Sequence, residues 1–217
     1  MAIRVFLADD HAVVRDGLRL LLEAQADISV VGEAADGRQT VRQIRQSCPD
    51  VVVMDIAMPE LNGIDAARQI HEFCPSVQIV ILSMHASNEY IYQANRAGAR
   101  GYLLKESAGR EVVDAVRAVS RGRRYLSQQL TETGFEDYMQ KVKTISAKSP
   151  LESLSNRERE ILQLIVDSKS NTEIANILSL SIKTVETYKS RMMAKLSIKD
   201  LPGLVKFAIK HGVTTLK

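Results

Sequence analysis

Along residues 1–121 short apolar, β-rich runs alternate with longer segments whose apolar positions recur every three or four residues. The runs are IRVFLA (3–8), ISVVGEA (28–34), VVVMD (51–55), VQIVILS (77–83) and GYLLK (101–105). Between them the stripes Val13/Leu18/Leu21/Leu22, Val41/Ile44, Ile64/Ala67/Ile70 and Ile91/Ala94/Ala97 have the spacing of amphipathic helices, as do Val112, Val113, Val116 and Val119 after the last run. Five strands, each followed by a helix, predict a (βα)5 doubly wound parallel sheet, an α/β domain with right-handed crossovers and helices on both faces. Burial on both faces explains why the runs are apolar at successive positions. In such a sheet a ligand sits beyond the carboxyl ends of the strands, so the residues that close each strand carry the interest.

The periodicity then changes. Residues 122–150, rich in Ser, Thr, Lys and Gln, predict a linker with a short helix around Glu136 to Val142. From Leu154 the pattern is helical throughout: SNREREILQLIVDS, SNTEIANILS, SIKTVETYKSRMMAKLS and LPGLVKFAIKHG. The first three open on a serine with a capping partner, and the fourth closes on Gly212 as a C-cap would. The expected organisation is an α/β domain over 1–121, a linker over 122–150 and an all-α, four-helix domain over 151–217.

Composition narrows the class. The chain has 45% hydrophobic and 25% charged residues, the balance of an ordinary soluble globular protein, and no apolar run approaches the ~20 residues of a membrane span. The opening MAIRVFLADD has no signal-peptide core or cleavage site, so a cytoplasmic protein with no membrane partner is expected. Cys48 and Cys74 each precede a proline, with no CxxC and no histidine at ligand spacing, and are expected to be buried or half-buried free thiols. Charge divides unevenly: residues 1–121 hold 13 Lys/Arg against 16 Asp/Glu, or −3, and the remainder hold 29 − 13 = 16 against 26 − 16 = 10, or +6. An acidic first half suits a cation and a basic second half suits a polyanion.

Four strand ends carry the chemistry. The first strand closes on Asp9 and Asp10, the third on Asp55, the fourth on Ser83 and the fifth on Lys105. Neighbouring strands lie about 4.8 Å apart, so these side chains converge. A carboxylate pair 4 Å apart costs ~4 kcal/mol at an effective dielectric of 20. A hard divalent cation with oxygen ligands, Mg²⁺, answers that repulsion where Asp is present without Cys or His at ligand spacing. A carboxylate beside a metal and an ammonium acts as a nucleophile toward phosphorus, with Ser83 a hydrogen-bond donor to the product oxygens. Plainer roles exist for each: Asp9 or Asp10 as cap of the first helix, Lys105 as a snorkelling surface cation, and MPELNG as a turn through Pro59 and Asn62-Gly63. A dinucleotide site is excluded because ADDHAVV offers anions where G-x-G-x-x-G is required.

These motifs together, ADDH, MDIAMPELNG, ILSMH and GYLLK, resemble the receiver domain of two-component response regulators, over the whole of residues 1–121. The resemblance implies that Asp55 is the phosphoacceptor. It also implies that Asp9 and Asp10 hold Mg²⁺ with Asp55 and the backbone carbonyl of Ala57, that Ser83 and Tyr102 are the switch pair, and that Lys105 binds the phosphoryl group. Dehalogenase-like phosphatases also use an aspartyl nucleophile, but their second acid would fall at Ala57.

In the basic half, NTEIANILSLSIKTVETYKSRMMAKL reads as helix, turn, helix, with Ile174, Ala175, Leu178, Val185, Met192 and Leu196 inward. The second helix carries cations and hydroxyls outward, the arrangement of a recognition helix, although a basic helix is by itself often a solvated face. LSNREREILQLI, SNTEIANILSLSIKTVETY and MAKLSIKD resemble the output domain of the NarL/FixJ (LuxR-type) regulators. That resemblance makes Lys183, Thr184, Glu186, Thr187, Lys189, Ser190 and Arg191 DNA-contact candidates, with Lys195 nearer the backbone. Glu186 and Tyr188 depart from the family's basic residue and histidine, which bears on base preference. The implied function is a phosphorylation-controlled transcription factor, not an enzyme. Its implied partners are a sensor histidine kinase and double-stranded promoter DNA, and it is expected to form a homodimer once phosphorylated. The alternatives are an output domain that binds protein and a receiver that works without phosphate.

Overall fold

Side-chain alternation along the strands decides the layering of the first unit. In the computed structural model, which describes residues 2–131 and 150–214, the chain divides into two units, Met1–Ile145 and Ser146–Lys217. The first is built on the parallel strands β1 (Ile3–Ala8), β2 (Ile28–Ala34), β3 (Val51–Asp55), β4 (Gln78–Ser83) and β5 (Gly101–Leu104), ordered β2-β1-β3-β4-β5. Helices α1 (Ala12–Glu23), α2 (Gly37–Ser47), α3 (Gly63–Phe73), α4 (Asn88–Arg96) and α5 (Ala108–Ser120) follow the strands in turn. Successive residues point to opposite faces. Phe6, Val52, Met54, Ile79 and Ile81 therefore enter one core with Ile44 and Ile70, while Val5, Leu7, Val53 and Leu82 enter a second with Leu22 and Val116. All thirteen are within 1% of full burial, and each such side chain stabilises the fold by roughly 1.5–3 kcal/mol relative to an exposed one.

The strand order reverses between β1 and β3, which opens the crevice beyond their carboxyl ends. Asn62 and Gly63, read from sequence as a turn, instead start α3: Asn62 is its N-cap and accepts a hydrogen bond from the Asp65 amide. Gly63 is required by proximity, since a Cβ there would lie 2.0 Å from the Asp55 carbonyl oxygen. The helix that follows Asp55 is thus packed directly against the strand end that presents it.

The stretch read as linker is partly sheet. Tyr125–Leu126 forms a sixth parallel strand, β6, on β5, and Gln128–Thr131 forms a helical turn, α6, with Leu130 buried in the first core. A two-residue strand has no period to detect, and its order comes from pairing with the edge of β5. The Ser127 amide donates to the Tyr102 carbonyl, and its hydroxyl accepts from the Leu104 amide at 3.0 Å and pairs with Ser107 Oγ at 2.9 Å. The helix expected around Glu136 to Val142 lies outside the described residues.

The second unit has a short 3₁₀ turn (Pro150–Ser153) and helices α7 (Asn156–Val166), α8 (Asn171–Leu178), α9 (Ile182–Leu196) and α10 (Leu201–Lys210). Ser155 with Glu158 and Ser170 with Glu173 form capping boxes, Ser181 caps α9, and Asp200 caps α10, a cap the sequence reading did not identify. Gly212, at φ 67°, follows the α10 C-cap His211 in the left-handed conformation that ends a helix. Ile161, Leu162, Ile174, Val185, Met192 and Leu204 form the core.

Candidate functional site

Three strand ends deliver one charged pocket. Asp9 and Asp55 are 1% and 2% exposed, and Lys105 Nζ lies 2.8 Å from an oxygen of each, donating a hydrogen bond to Asp55. The Lys105 amide in turn donates to the Ser83 carbonyl, which fixes the lysine to the end of β4. Burial pushes the Asp55 carboxyl above its ordinary range; Lys105 pulls it down and the charge of Asp9 pushes it up again. Burial also works to discharge Lys105, yet the two carboxylates outweigh it and hold the ammonium above its ordinary value. The snorkelling alternative for Lys105 is thereby set aside.

Asp10 joins this pair from the loop after β1. Ligand atoms of Asp9, Asp10, His11 and Asp55 all lie within 4.8 Å of one another. His11 was not singled out from the sequence, where it is only the last letter of ADDH. Its amide donates to Asp9 Oδ1 at 2.8 Å, its Nδ1 is 2.7 Å from Asp10 Oδ1, and it is the N-cap position of α1. Neither aspartate caps that helix. Arg15, one turn into α1, donates to the Asp9 carbonyl at 2.6 Å and holds the loop from behind.

Two observations fit a cation here. Asp9 Oδ2 and Asp10 Oδ1 are buried oxygens met by ion-pair contacts, from Lys105 Nζ at 2.8 Å and His11 Nδ1 at 2.7 Å, with lone pairs left over for a ligand, and three carboxylates against one ammonium leave the pocket net negative. Oxygen ligands of this kind suit a hard divalent ion. Ala57, exposed between buried Ile56 and Met58 two residues past Asp55, directs its amide at the Asp55 carboxylate.

Ser83 and Tyr102 meet on the backbone of one residue. His85 donates its amide to Ser83 Oγ at 2.9 Å, and its carbonyl accepts from the Tyr102 hydroxyl at 2.8 Å. The Tyr102 ring is buried, which pushes its phenol pKa up. The His85 ring stacks on Tyr90 of α4, with centroids 4.6 Å apart. The β4–α4 loop is therefore held by both residues the sequence paired, and it touches the next helix.

On the second unit, Lys183, Glu186, Thr187, Ser190 and Arg191 of α9 are exposed, and Thr184 and Lys189 are half-buried. Ser181, Lys183, Thr184, Thr187, Tyr188 and Arg191 line one shallow depression on this face. The hydroxyls are partly engaged locally: Thr184 Oγ1 lies 2.7 Å from Ser181 Oγ, and Thr187 Oγ1 donates to the Lys183 carbonyl. Lys195 differs from the rest. Its Nζ is 2.7 Å from Oε2 of buried Glu158 on α7. Burial opposes the charge of Glu158, but Lys195 and the Ser155 cap outweigh that and bring its carboxyl below the usual range. Lys195 thus braces α9 against α7, a pairing 37 residues apart that local periodicity does not reveal.

Residues 5–117 match the model of the response regulator receiver domain, and residues 152–208 match that of bacterial regulatory proteins of the luxR family. The oxygen regulatory protein NreC of Staphylococcus carnosus is 39% identical over 95% of this chain and 97% of its own. A two-component response regulator of the LuxR family from Aurantimonas sp. SI85-9A1 covers 64% of this chain and 99% of its own, at 37% identity and a TM-score of 0.61. A structure of two RcsB dimers bound to two parallel DNAs covers 97% of this chain and 99% of its own, at 26% identity and a TM-score of 0.59.

The raised pKa of Asp55 has a consequence for stability. A carboxyl whose folded pKa lies above its unfolded value binds its proton more readily when folded, so the fold gains stability as pH falls through that raised value. In metal-free protein Asp55→Asn is expected to unfold at a higher urea concentration than the parent at neutral pH, with the gap narrowing as pH falls. Equal urea midpoints at neutral pH would show that burial of the Asp55 charge is fully compensated.

Proposed function

Because the chain belongs to the bacterial response regulators that join a receiver to a luxR-family DNA-binding domain, we propose that Asp55 accepts a phosphoryl group from a sensor histidine kinase. The chain is a transcription regulator of a two-component system, and not an enzyme with an external substrate. The observation that carries the assignment of Asp55 is its place at the end of β3, within 2.8 Å of an ammonium that also touches Asp9.

An Asp55 carboxylate oxygen attacks phosphorus in line, and the phosphorus–nitrogen bond to the donor histidine breaks. Asp9, Asp10, Asp55 and the carbonyl of Ala57 would hold Mg²⁺, which when bound supplies positive charge against the phosphoryl oxygens. Lys105 exchanges part of its contact with Asp55 for a phosphoryl oxygen. Ser83 Oγ already accepts from the His85 amide, so its own hydroxyl hydrogen is the one to donate to phosphate. Movement of Ser83 toward Asp55 pulls on His85, and the His85 carbonyl is the partner of Tyr102. The tyrosine and the α4–β5–α5 surface follow. The result is a shift in population between two arrangements of that loop.

Lys183, Lys189 and Arg191 supply cations toward DNA phosphates, with Thr184, Glu186, Thr187 and Ser190 placed toward base edges. Self-association fits the first unit through α1, where Val13, Leu20 and Leu21 are 85%, 72% and 38% exposed at helical spacing. The RcsB structure contains dimers on DNA, which supports a paired arrangement here.

Acetyl phosphate with Mg²⁺ is expected to add one phosphoryl group to the parent protein and none to Asp55→Asn; undiminished labelling of the variant would remove Asp55 from this role. DNA affinity is expected to fall with salt at a log-log slope of about −0.9 per phosphate neutralised. Lys183→Ala and Arg191→Ala should each flatten that slope by about one, whereas Lys195→Ala should leave the slope unchanged and lower the urea midpoint. Leu20→Arg should keep full acetyl phosphate labelling yet sediment as a monomer, and a phosphorylated dimer of that variant would rule out the α1 face.

A further inference from the structure

The sequence suggests two buried or half-buried free thiols, and the structure brings them together. Helices α2 and α3 each end on a cysteine followed by proline, Cys48-Pro49 and Cys74-Pro75. The cysteine amides close the last helical turns, on the Ile44 and Ile70 carbonyls. Cys48 takes the left-handed conformation at φ 36°, and the Arg4 guanidinium holds the carbonyls of Ser47 and Cys48 at 2.9 and 3.0 Å. Between these two anchored ends the sulfurs lie 3.1 Å apart. A disulfide needs about 2.05 Å, so closure takes roughly 1 Å of movement from two helix ends that already face one another.

Exposure differs across the pair: Cys48 is exposed, against expectation, and Cys74 is buried. That asymmetry orders a reaction. We propose that Cys48 and Cys74 form a thiol–disulfide site that reacts with low-molecular-weight disulfides and closes into an intramolecular bond. The Cys48 thiolate attacks one sulfur of the external disulfide, forming a mixed disulfide and releasing one thiol. The Cys74 thiolate then attacks the Cys48 sulfur and displaces the second thiol. The two protein thiols are oxidised by two electrons, their two protons leave on the released thiols, and the external disulfide is reduced.

The hydrogen bond from its neighbour, with burial second, raises the Cys48 thiol above its ordinary value. Thiolate is therefore scarce at neutral pH and the exchange is slow. Proximity sets how far it goes, because the second step is intramolecular. The site stands at the amino ends of β3 and β4, which begin just after Cys48 and Cys74, while Asp55 and Ser83 close the same strands at the other edge. Phosphorylation and thiol exchange are thus separable readouts.

The test uses the full chain equilibrated in glutathione buffers of stepped composition, acid-quenched, alkylated and read by intact mass and peptide mapping. The expected product has lost two hydrogens, has no alkylatable thiol, remains one chain and yields a Cys48–Cys74 linked peptide. Cys74→Ala should stop at a glutathione adduct on Cys48 and need roughly 100-fold more glutathione disulfide to reach it. The closed form should melt about 5 °C or more higher, and in strong urea the preference for closure should be lost. Acetyl phosphate labelling of every sample confirms that the receiver is folded. The proposal is overturned if the native protein keeps both thiols alkylatable where Cys74→Ala is already modified. A parent protein that halts at the Cys48 adduct, or that joins two chains through Cys48, overturns it equally.

Discussion

Repulsion between buried carboxylates is the constraint around which the first unit is arranged. Asp9 and Asp55 lie almost wholly out of water with Asp10 beside them, and at such distances like charges cost several kcal/mol unless answered. The sheet answers with Lys105, carried on a neighbouring strand end and tied to the β4 carbonyl. The remaining negative charge suits the crevice to a cation, and it is on that charge that the phosphoryl transfer proposed for Asp55 rests. Apolar β3 and the close approach of Gly63 to its last carbonyl hold Asp55 where that charge cannot be relaxed by moving it.

The same economy of contacts links charge to shape. Ser83 and Tyr102 do not touch the α4 helix through a long chain of intermediates. Both hydrogen-bond the backbone of His85, whose ring lies flat on Tyr90. One residue of a four-residue loop thereby collects the hydroxyl at the end of β4, the buried aromatic of β5 and the helix beyond. In the second unit the comparable brace is Lys195 on Glu158, where one buried carboxylate serves both as capping-box acceptor and as anchor for the helix that carries Lys183 and Arg191.

How much of this was legible follows from range. Strands β1 to β5 were readable to within a residue because parallel strands covered on both faces are apolar at successive positions, as in VVVMD and the buried VFLA of β1, and the edge strand β2 still opens on ISVV. Asp9, Asp10, Asp55, Ser83 and Lys105 were readable because topology alone brings strand ends together. Features set by pairing between distant positions were not. β6 borrows its order from β5, His11 acts through a loop turn, Lys195 finds a partner 37 residues away, and the Cys48 and Cys74 sulfurs meet only once two helices lie side by side. Sequence separation, more than chemistry, marks the boundary of what could be inferred.

The short strand after α5 has a practical corollary for dissecting the protein. Ser127 satisfies the Leu104 amide and pairs with Ser107, and Tyr125–Leu126 covers the outer edge of β5. A fragment trimmed at residue 121 would leave that edge bare, strand-ready and inclined to zip onto a neighbour's. An isolated receiver therefore has to keep the chain at least through Leu130, which is buried in the first core, so truncation studies that cut earlier would be reporting on an injured sheet.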